Sequence, residues 1–450
     1  MTKDSHMICT PPYYRRRTAV IALLLVILTA CATTPAPYSP PEISPTGTSL
    51  SQLTANAETA ARMGALSADD LAVIAVLGNP DLQAMRAEAG LAEAQIFAAG
   101  LLPDPTIGLG FDTPLNGANE VVAIAGSLGL DLAGLSSRPA RVDASKAQAA
   151  KVRQDIVWAE WLTRQNAKLL ASRISWLEDV RRKTIEYRKV ADEDLDRTLR
   201  AASRGDVAAV EVDARRLTAA DAADRDRTAE SQLAVVRLDL NRLLGITPDE
   251  AIQVHSPVPY AAVPPSNSDL FARALDSRAD LQGLRNGLEA ANAGIAVADS
   301  SRFPLPAISL NVARDSGNIR TLGPAVSFTL PIWNQARGDI AVAKADLGVL
   351  EAQYKARAET VRADIGAATS ALFIARKQRA DVVDGLAGIS DQADRAEASA
   401  ERGDISQTTA AATRLAALDK EILADTLALA AVEAAIALET AVGAPLDSIE

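Results

Sequence analysis

The sequence predicts a mainly α fold with a small β part, built from long helical hairpins and written twice along the chain. Three observations carry this. Of the 450 residues, 48% are hydrophobic but only 4% are aromatic, so Ala, Leu and Val supply the apolar content. Ala and Leu are also strong helix formers. No proline occurs between Pro139 and Pro248 or between Pro331 and Pro445, which leaves two long stretches without a helix breaker. Finally, short sequence matches recur in the same order about 200 residues apart.

The N-terminus reads as an address followed by a tether. Arg15-Arg16-Arg17 precedes the apolar run Ala19–Leu28, and Thr29-Ala30-Cys31 follows. A basic segment plus an apolar run of about ten residues is a secretory signal, too short to span a bilayer comfortably. Leu28-Thr29-Ala30-Cys31 resembles the lipobox of bacterial lipoproteins, in which cleavage precedes a cysteine that carries the lipid. Residues 1–30 are therefore expected to be a signal peptide, with lipid attachment at Cys31. Ala32 rather than Asp follows the cysteine, which in lipoproteins implies delivery to the outer membrane. Met7 is an alternative start to Met1. Residues 31–66, with Pro35, Pro37, Pro40, Pro41 and Pro45, are expected to form an anchored, extended linker.

The duplication sets the remaining boundaries. Asp81-Leu82-Gln83 recurs as Asp280-Leu281-Gln282, Pro103-Asp104-Pro105 as Pro304-Leu305-Pro306, and Arg204-Gly205-Asp206-Val207 as Arg402-Gly403-Asp404-Ile405. The first repeat is expected over residues 67–247, a linking segment over 248–266, the second repeat over 267–445 and a short tail over 446–450. Each repeat opens with one helix, from Asp69 to about Leu102 and from about Ser268 to Arg302. Ser67 or Asp69 can cap the first and Ser268 the second.

Two segments of period two then follow in each repeat. Ile107, Leu109 and Phe111 alternate with Gly108, Gly110 and Asp112. Val122, Ile124, Leu128, Leu130 and Leu132 alternate with Ala123, Ala125, Ser127, Gly129 and Asp131. The second copy alternates Ile308, Leu310 and Val312 with Ser309, Asn311 and Ala313, then Leu322, Val326, Phe328, Leu330 and Ile332 with Thr321, Gly323, Ala325, Ser327 and Thr329. Four strands with one greasy face cannot close a barrel alone. Their length suits tilted membrane-spanning strands, apolar outward and small or polar inward, completed by several copies.

After each strand pair comes a long hairpin. Residues 140–204 contain neither Gly nor Pro, enough helix to span about 100 Å. Residues 206–244 form a shorter return helix ended by Gly245 and Pro248. The return helix and the opening helix, stacked end to end, together match the long one. The second repeat does the same about Gly403.

The Asn79-Pro80-Asp81-Leu82 opening, Ala99-Gly100-Leu101-Leu102-Pro103-Asp104-Pro105 before the first strand, and Val326–Asn334 at the last strand resemble the TolC family of outer-membrane efflux channels, over about residues 66–445. That resemblance implies a homotrimer with a transmembrane β-barrel completed by trimerisation, four strands per protomer, above an α-barrel tunnel. It implies a conduit across the outer membrane, fed by an inner-membrane efflux pump through a periplasmic adaptor protein. It places Arg204, Gly205 and Asp206, with Arg402, Gly403 and Asp404, at hairpin tips that meet the adaptor. It makes Glu211, Asp213, Arg215 and Arg216 candidate charges at the tunnel entrance, where carboxylates repeated by symmetry favour cations. The second copy has Ser406–Thr413 with no acid, so a matched second acidic ring is not expected.

Other functions find little support in the sequence. The net charge of −11, or −14 once Lys3, Asp4 and Arg15–Arg17 are lost, disfavours a nucleic-acid partner. Of the two Cys and two His, Cys9 and His6 lie in the segment expected to be removed, and the remaining Cys31 and His255 can form neither an internal disulfide nor a Cys-cluster zinc site, so no cofactor is expected. No phosphate loop, nucleophile elbow or His-Glu-x-x-His pair marks an enzyme. A periplasmic adaptor lipoprotein is the main alternative, but it would embed one hairpin in a β-rich body. A structural coiled-coil envelope spacer would not need alternating strands.

Overall fold

The computed structural model describes residues 39–41, 48–50, 52, 66–116, 121–255 and 263–446. The expected signal peptide, Cys31, most of the expected linker, residues 256–262 and the last four residues lie outside these. Met1–Gly47 and Thr48–Glu450 are separate units, and the second carries every element below.

In the first half, α1 (Ala68–Gly78) and α2 (Pro80–Gly100) lead into β1 (Thr106–Asp112) and β2 (Ala123–Asp131), then α3 (Ala133–Ser203) and α4 (Ala209–Leu244). The second half repeats the order with α5 (Asn267–Ser277), α6 (Ala279–Ser300), β3 (Ala307–Arg314), β4 (Arg320–Ser327), α7 (Arg337–Glu401) and α8 (Gln407–Val442). The long helices α3 and α7 have 71 and 65 residues and span about 105 and 100 Å. Helix α3 begins earlier than expected, because Pro139 is accommodated within its first two turns at the loss of one backbone bond.

The opening helix of each half is two helices rather than one. Pro80 has no N–H to continue α1, and Asn79 turns extended and caps α2, its Oδ1 accepting the Leu82 N–H at 3.0 Å. Arg278 adopts the same extended backbone with no proline after it, so there the break is imposed by tertiary contacts. At the start of α1, Ser67 and Asp70 form a capping box. At α5 the cap is Ser266, whose hydroxyl accepts from Asp269 N–H, and Ser268 lies inside the helix.

The four strands form one antiparallel sheet in the order β1-β2-β3-β4. Its register aligns the two faces through every strand. One row pairs Ile107 with Leu128, Leu128 with Leu310 and Leu310 with Pro324; the next pairs Gly108 with Ser127, Ser127 with Asn311 and Asn311 with Gly323. Strand β4 stops at Ser327, where its ladder with β3 ends opposite Ala307, so Phe328, Leu330 and Ile332 lie beyond the sheet.

The helices lie in a row whose middle members change with height. Helix α3 packs on α2 and α6 toward the sheet, and on α4 and α8 toward the hairpin tips. Helix α7 packs on α6 and then α8. Each pair of short helices therefore meets end to end beside a long one, as expected. Large buried side chains gather at these two junctions: Leu71, Ile74, Leu170, Ile174, Leu240 and Leu244 at the first, and Leu270, Leu281, Ile365, Leu372, Leu438 and Val442 at the second. Nearer the tips the buried residues are fewer, with Tyr187, Ala191, Ala222, Leu415 and Leu418 in one cluster.

A glycine ends each return helix where it abuts its neighbour. Gly245 has φ +71°, and a Cβ there would lie 2.5 Å from the Gly78 carbonyl oxygen. Gly245→Ala is expected to cost about 2–4 kcal/mol, from left-handed strain plus a backbone clash. Gly205→Ala, at φ +81° with open space around it, is expected to cost only about 1 kcal/mol. Urea midpoints of the two variants check this, and equal losses would refute the close-approach argument.

Candidate functional site

Two surfaces stand out at opposite ends of the helices. The first is the sheet. Among the described residues no helix covers either face, and the apolar side chains stand in the open, with Ile107 77% and Leu322 70% exposed. The opposite face is Thr106, Gly108 and Gly110, then Ala125, Ser127 and Gly129, then Ser309 and Asn311, then Thr321 and Gly323. Strands β1 and β4 each have one unpaired edge. A greasy band of this kind exposed to water is an interaction surface, and the strands, at seven to nine residues, are about 25 Å long.

The second surface is the pair of hairpin tips, which are built alike. Helix α3 ends in a Schellman motif, with Gly205 N–H donating to Ala202 O and Asp206 N–H to Ala201 O. Helix α7 ends identically through Gly403 N–H to Ala400 O and Asp404 N–H to Ser399 O. Both glycines have positive φ, +81° and +84°. Arg204 Nε lies 2.9 Å from Asp206 Oδ2, and Arg402 Nε lies 3.0 Å from Asp404 Oδ2. All six residues are exposed.

The four charges expected just past the first tip do not form one cluster. Glu211 is exposed, and Asp213 pairs with Arg216 at 3.1 Å on the surface. Arg215 turns inward to Asp194 on α3 at 2.9 Å, where the Asp194 side chain is 5% exposed. Burial pushes the Asp194 carboxyl above the usual carboxylate range, and Arg215 and the Thr408 hydroxyl oppose that. Thr408 belongs to the acid-free run of the second repeat, so this buried group joins both halves. Sequence reading passed over Asp194. The available signal was its place on one helical stripe with Tyr187, Ala191 and Thr198, all buried.

Between junction and tips the helices are laced by ion pairs. Helix α3 reaches α8 through Arg173–Glu433 at 2.6 Å, Lys183–Asp425 at 2.7 Å and Glu186–Arg414. It reaches α4 through Glu178–Arg237 at 2.6 Å and Arg181–Glu230 at 2.7 Å. Arg225 on α4 pairs with Asp419 on α8 and lies over the Tyr187 ring. Apart from the more buried Lys183–Asp425, these pairs are partly exposed and contribute about 0–1 kcal/mol each, so they set register between small-residue surfaces more than they stabilise.

Among the described residues, no group of three or more His, Cys, Asp or Glu is placed to hold a metal ion. Nor is any described helix long and apolar enough to cross a membrane. No protein-family model matches the chain, and no curated protein matches it in sequence.

Solved structures do match. The CmeC outer membrane channel of Campylobacter jejuni is 16% identical, over 91% of this chain and 94% of its own, with a TM-score of 0.68. VceC, an outer membrane protein of Vibrio cholerae, is 18% identical over 84% and 96%, with a TM-score of 0.65. The open state of the MtrE outer membrane channel of Neisseria gonorrhoeae is 17% identical over 92% and 99%, with a TM-score of 0.60. The long hairpins, the four-stranded sheet and their duplicated order are thus those of the TolC-type outer-membrane channels, and this chain has their fold.

Proposed function

We propose that the protein is the outer-membrane channel of a tripartite efflux system, a passive conduit from an inner-membrane pump and a periplasmic adaptor to the cell exterior. The observation that carries this is the uncovered sheet, apolar on one face and small or polar on the other, with both edges open. Three copies joined β4 to β1 would remove the edges and turn the apolar face to lipid. The exposed apolar residues on the outer helices of the row, such as Leu91 on α2 and Val342 and Val349 on α7, suit contacts between copies. The test is a detergent-purified protein that runs as a heat-modifiable trimer and conducts ions in planar bilayers. A monomer without conductance would refute it. In the same bilayers, Glu211→Gln with Asp213→Asn should lower cation preference if these carboxylates line the entrance; an unchanged permeability ratio would remove them from it.

The tips are the proposed adaptor contact, supported by their matched geometry and exposure. Reversing Arg204 and Arg402 to Glu is expected to abolish cross-linking to the partner adaptor while leaving conductance intact; retained cross-linking would count against the contact. Cys31 is the proposed lipid attachment site. Cys31→Ser is expected to lose labelling by radioactive palmitate, and a variant still labelled would exclude this anchor.

A further inference from the structure

The strand register carries two charges onto the apolar face of the sheet. One row of that face pairs Phe111 with Ile124, Ile124 with Arg314 and Arg314 with Arg320. Side chains alternate between faces along a strand, so Arg314 stands in line with Val312 and Leu310, and Arg320 with Leu322 and Val326. Within the four strands no other charged residue lies on this face. Both arginines sit where β3 turns into β4, at the end of the sheet away from the helices.

Like charges directly opposite on paired strands, with Cβ atoms about 5 Å apart, repel and weaken the pairing. The acidic residues described nearby do not relieve this. Asp315, next along the chain, accepts the Ile319 N–H at 2.8 Å within the turn. Asp112, in register with Ala123, falls on the opposite face. Arg314 donates through Nη2 to the Val122 carbonyl at 3.2 Å, and its Nε has no partner. Arg320 is exposed, and its side chain makes no hydrogen bond or ion pair among the described residues. Two guanidinium groups thus stand side by side on an apolar surface with no carboxylate between them among the described residues.

We propose that Arg314 and Arg320 together bind the phosphate of a lipid headgroup in the outer leaflet of the membrane. This rests on the conduit reading, in which the apolar face meets lipid and the turn end lies at the cell surface. An arginine at the membrane interface costs far less than one at mid-depth, and its stem can lie on the apolar face while its head reaches the headgroups. The guanidinium fork matches phosphate oxygens two by two. One phosphate between the arginines would replace their repulsion with two charge-assisted pairs. Beneath them Phe111, Val312 and Leu322 are exposed and form an apolar strip for acyl chains.

The detergent-purified full chain, titrated with bis-phosphorylated lipid A, tests this, with bound lipid counted by native mass spectrometry. Saturable binding of one lipid per protomer is expected. Lipid A stripped of phosphate, with the same acyl chains, should bind about tenfold more weakly or worse. Excess inorganic phosphate should not displace the lipid, because it has no chains to cover the apolar strip. Arg320→Gln is expected to weaken binding about tenfold, and Arg314→Gln with Arg320→Gln about a hundredfold. Equal binding of the phosphate-free lipid, displacement by inorganic phosphate, or unchanged affinity in Arg320→Gln would overturn the proposal. Arg320 is exposed and unpaired among the described residues, so that variant decides even if the double variant fails to assemble, which gel mobility reports. Conductance of the same preparation separates the two readings. A conducting trimer that retains no lipid A overturns this proposal alone, and a monomer without conductance overturns both.

Discussion

Leu128→Arg is expected to abolish both the detergent-resistant trimer and its conductance, whereas Asn311→Arg should leave the trimer assembled and reduce the current. The two positions lie in adjacent rows of the sheet. Leu128 sits mid-strand between Ile107 and Leu310 on the apolar face. Asn311 sits between Ser127 and Gly323 on the small, polar face. A lipid-facing arginine near mid-membrane costs about 2–4 kcal/mol, and a trimer incurs that three times. An arginine on the inner face keeps its water and only narrows the lumen. Gel mobility with and without heating, followed by single-channel recording, separates the cases. If both variants assembled and conducted alike, the apolar face would not be the lipid face.

Arg278→Leu is expected to be the most damaging single change in the helical body, costing about 3–5 kcal/mol. Arg278 is 2% exposed and joins three elements: its own Asp280 on α6, the Ala441 carbonyl of α8 at 2.7 Å, and the Trp158 ring of α3. Removing it leaves a largely buried carboxylate with Arg357 alone. Lysine should not restore the loss, since it lacks the planar fork that engages both Asp280 oxygens. Burial alone would raise the Asp280 carboxyl, but hydrogen bonds from Arg278 and Arg357 outweigh it and hold the group below the usual range. The folded chain therefore binds that proton less tightly than the unfolded chain. The resulting stability is complete above about pH 4, the unfolded value, and is lost as pH falls through the lower folded one. Denaturant midpoints measured from pH 3 to pH 7 should fall steeply at the acid end for the parent and less so for Asp280→Asn. An Arg278→Leu unfolding free energy within about 1 kcal/mol of the parent would show that the junction does not depend on this group.

The features legible in the sequence were those with a local cause. Alternation along Ile107–Phe111 and Ile308–Val312 marked strands because a two-residue period has one structural meaning. The Pro-free stretches marked long helices because nothing in them stops one. The matching Arg-Gly-Asp turns were readable because a left-handed position after a long helix selects glycine. The missed features had distant causes. Pro80 was a break signal within the first opening helix, but Arg278 breaks the second with no such mark, held by Ala441 and Asp280. The entrance charges were grouped because their pattern resembles that of the TolC family. Arg215 leaves that group because Asp194, which no local pattern marks, is buried opposite it on another helix. Ser266 rather than Ser268 is the cap because it is the counterpart of Ser67, at the same offset that relates Asp81 to Asp280.

The end-to-end junctions of short helices beside uninterrupted long ones make the protein a set of levers. From the level of Gln165 to the tip at Gly205, α3 runs on for about 55 Å with no break. A tilt of two degrees at the fulcrum displaces the far end by about 2 Å, the diameter of a small ion, while the packing around Arg278 shifts by a fraction of that. In the proposed trimer the bore at the tips would then be governed by the stiffness of two abutments far from it, and a mutation at Gly245 or Arg278 would be felt as a change in aperture.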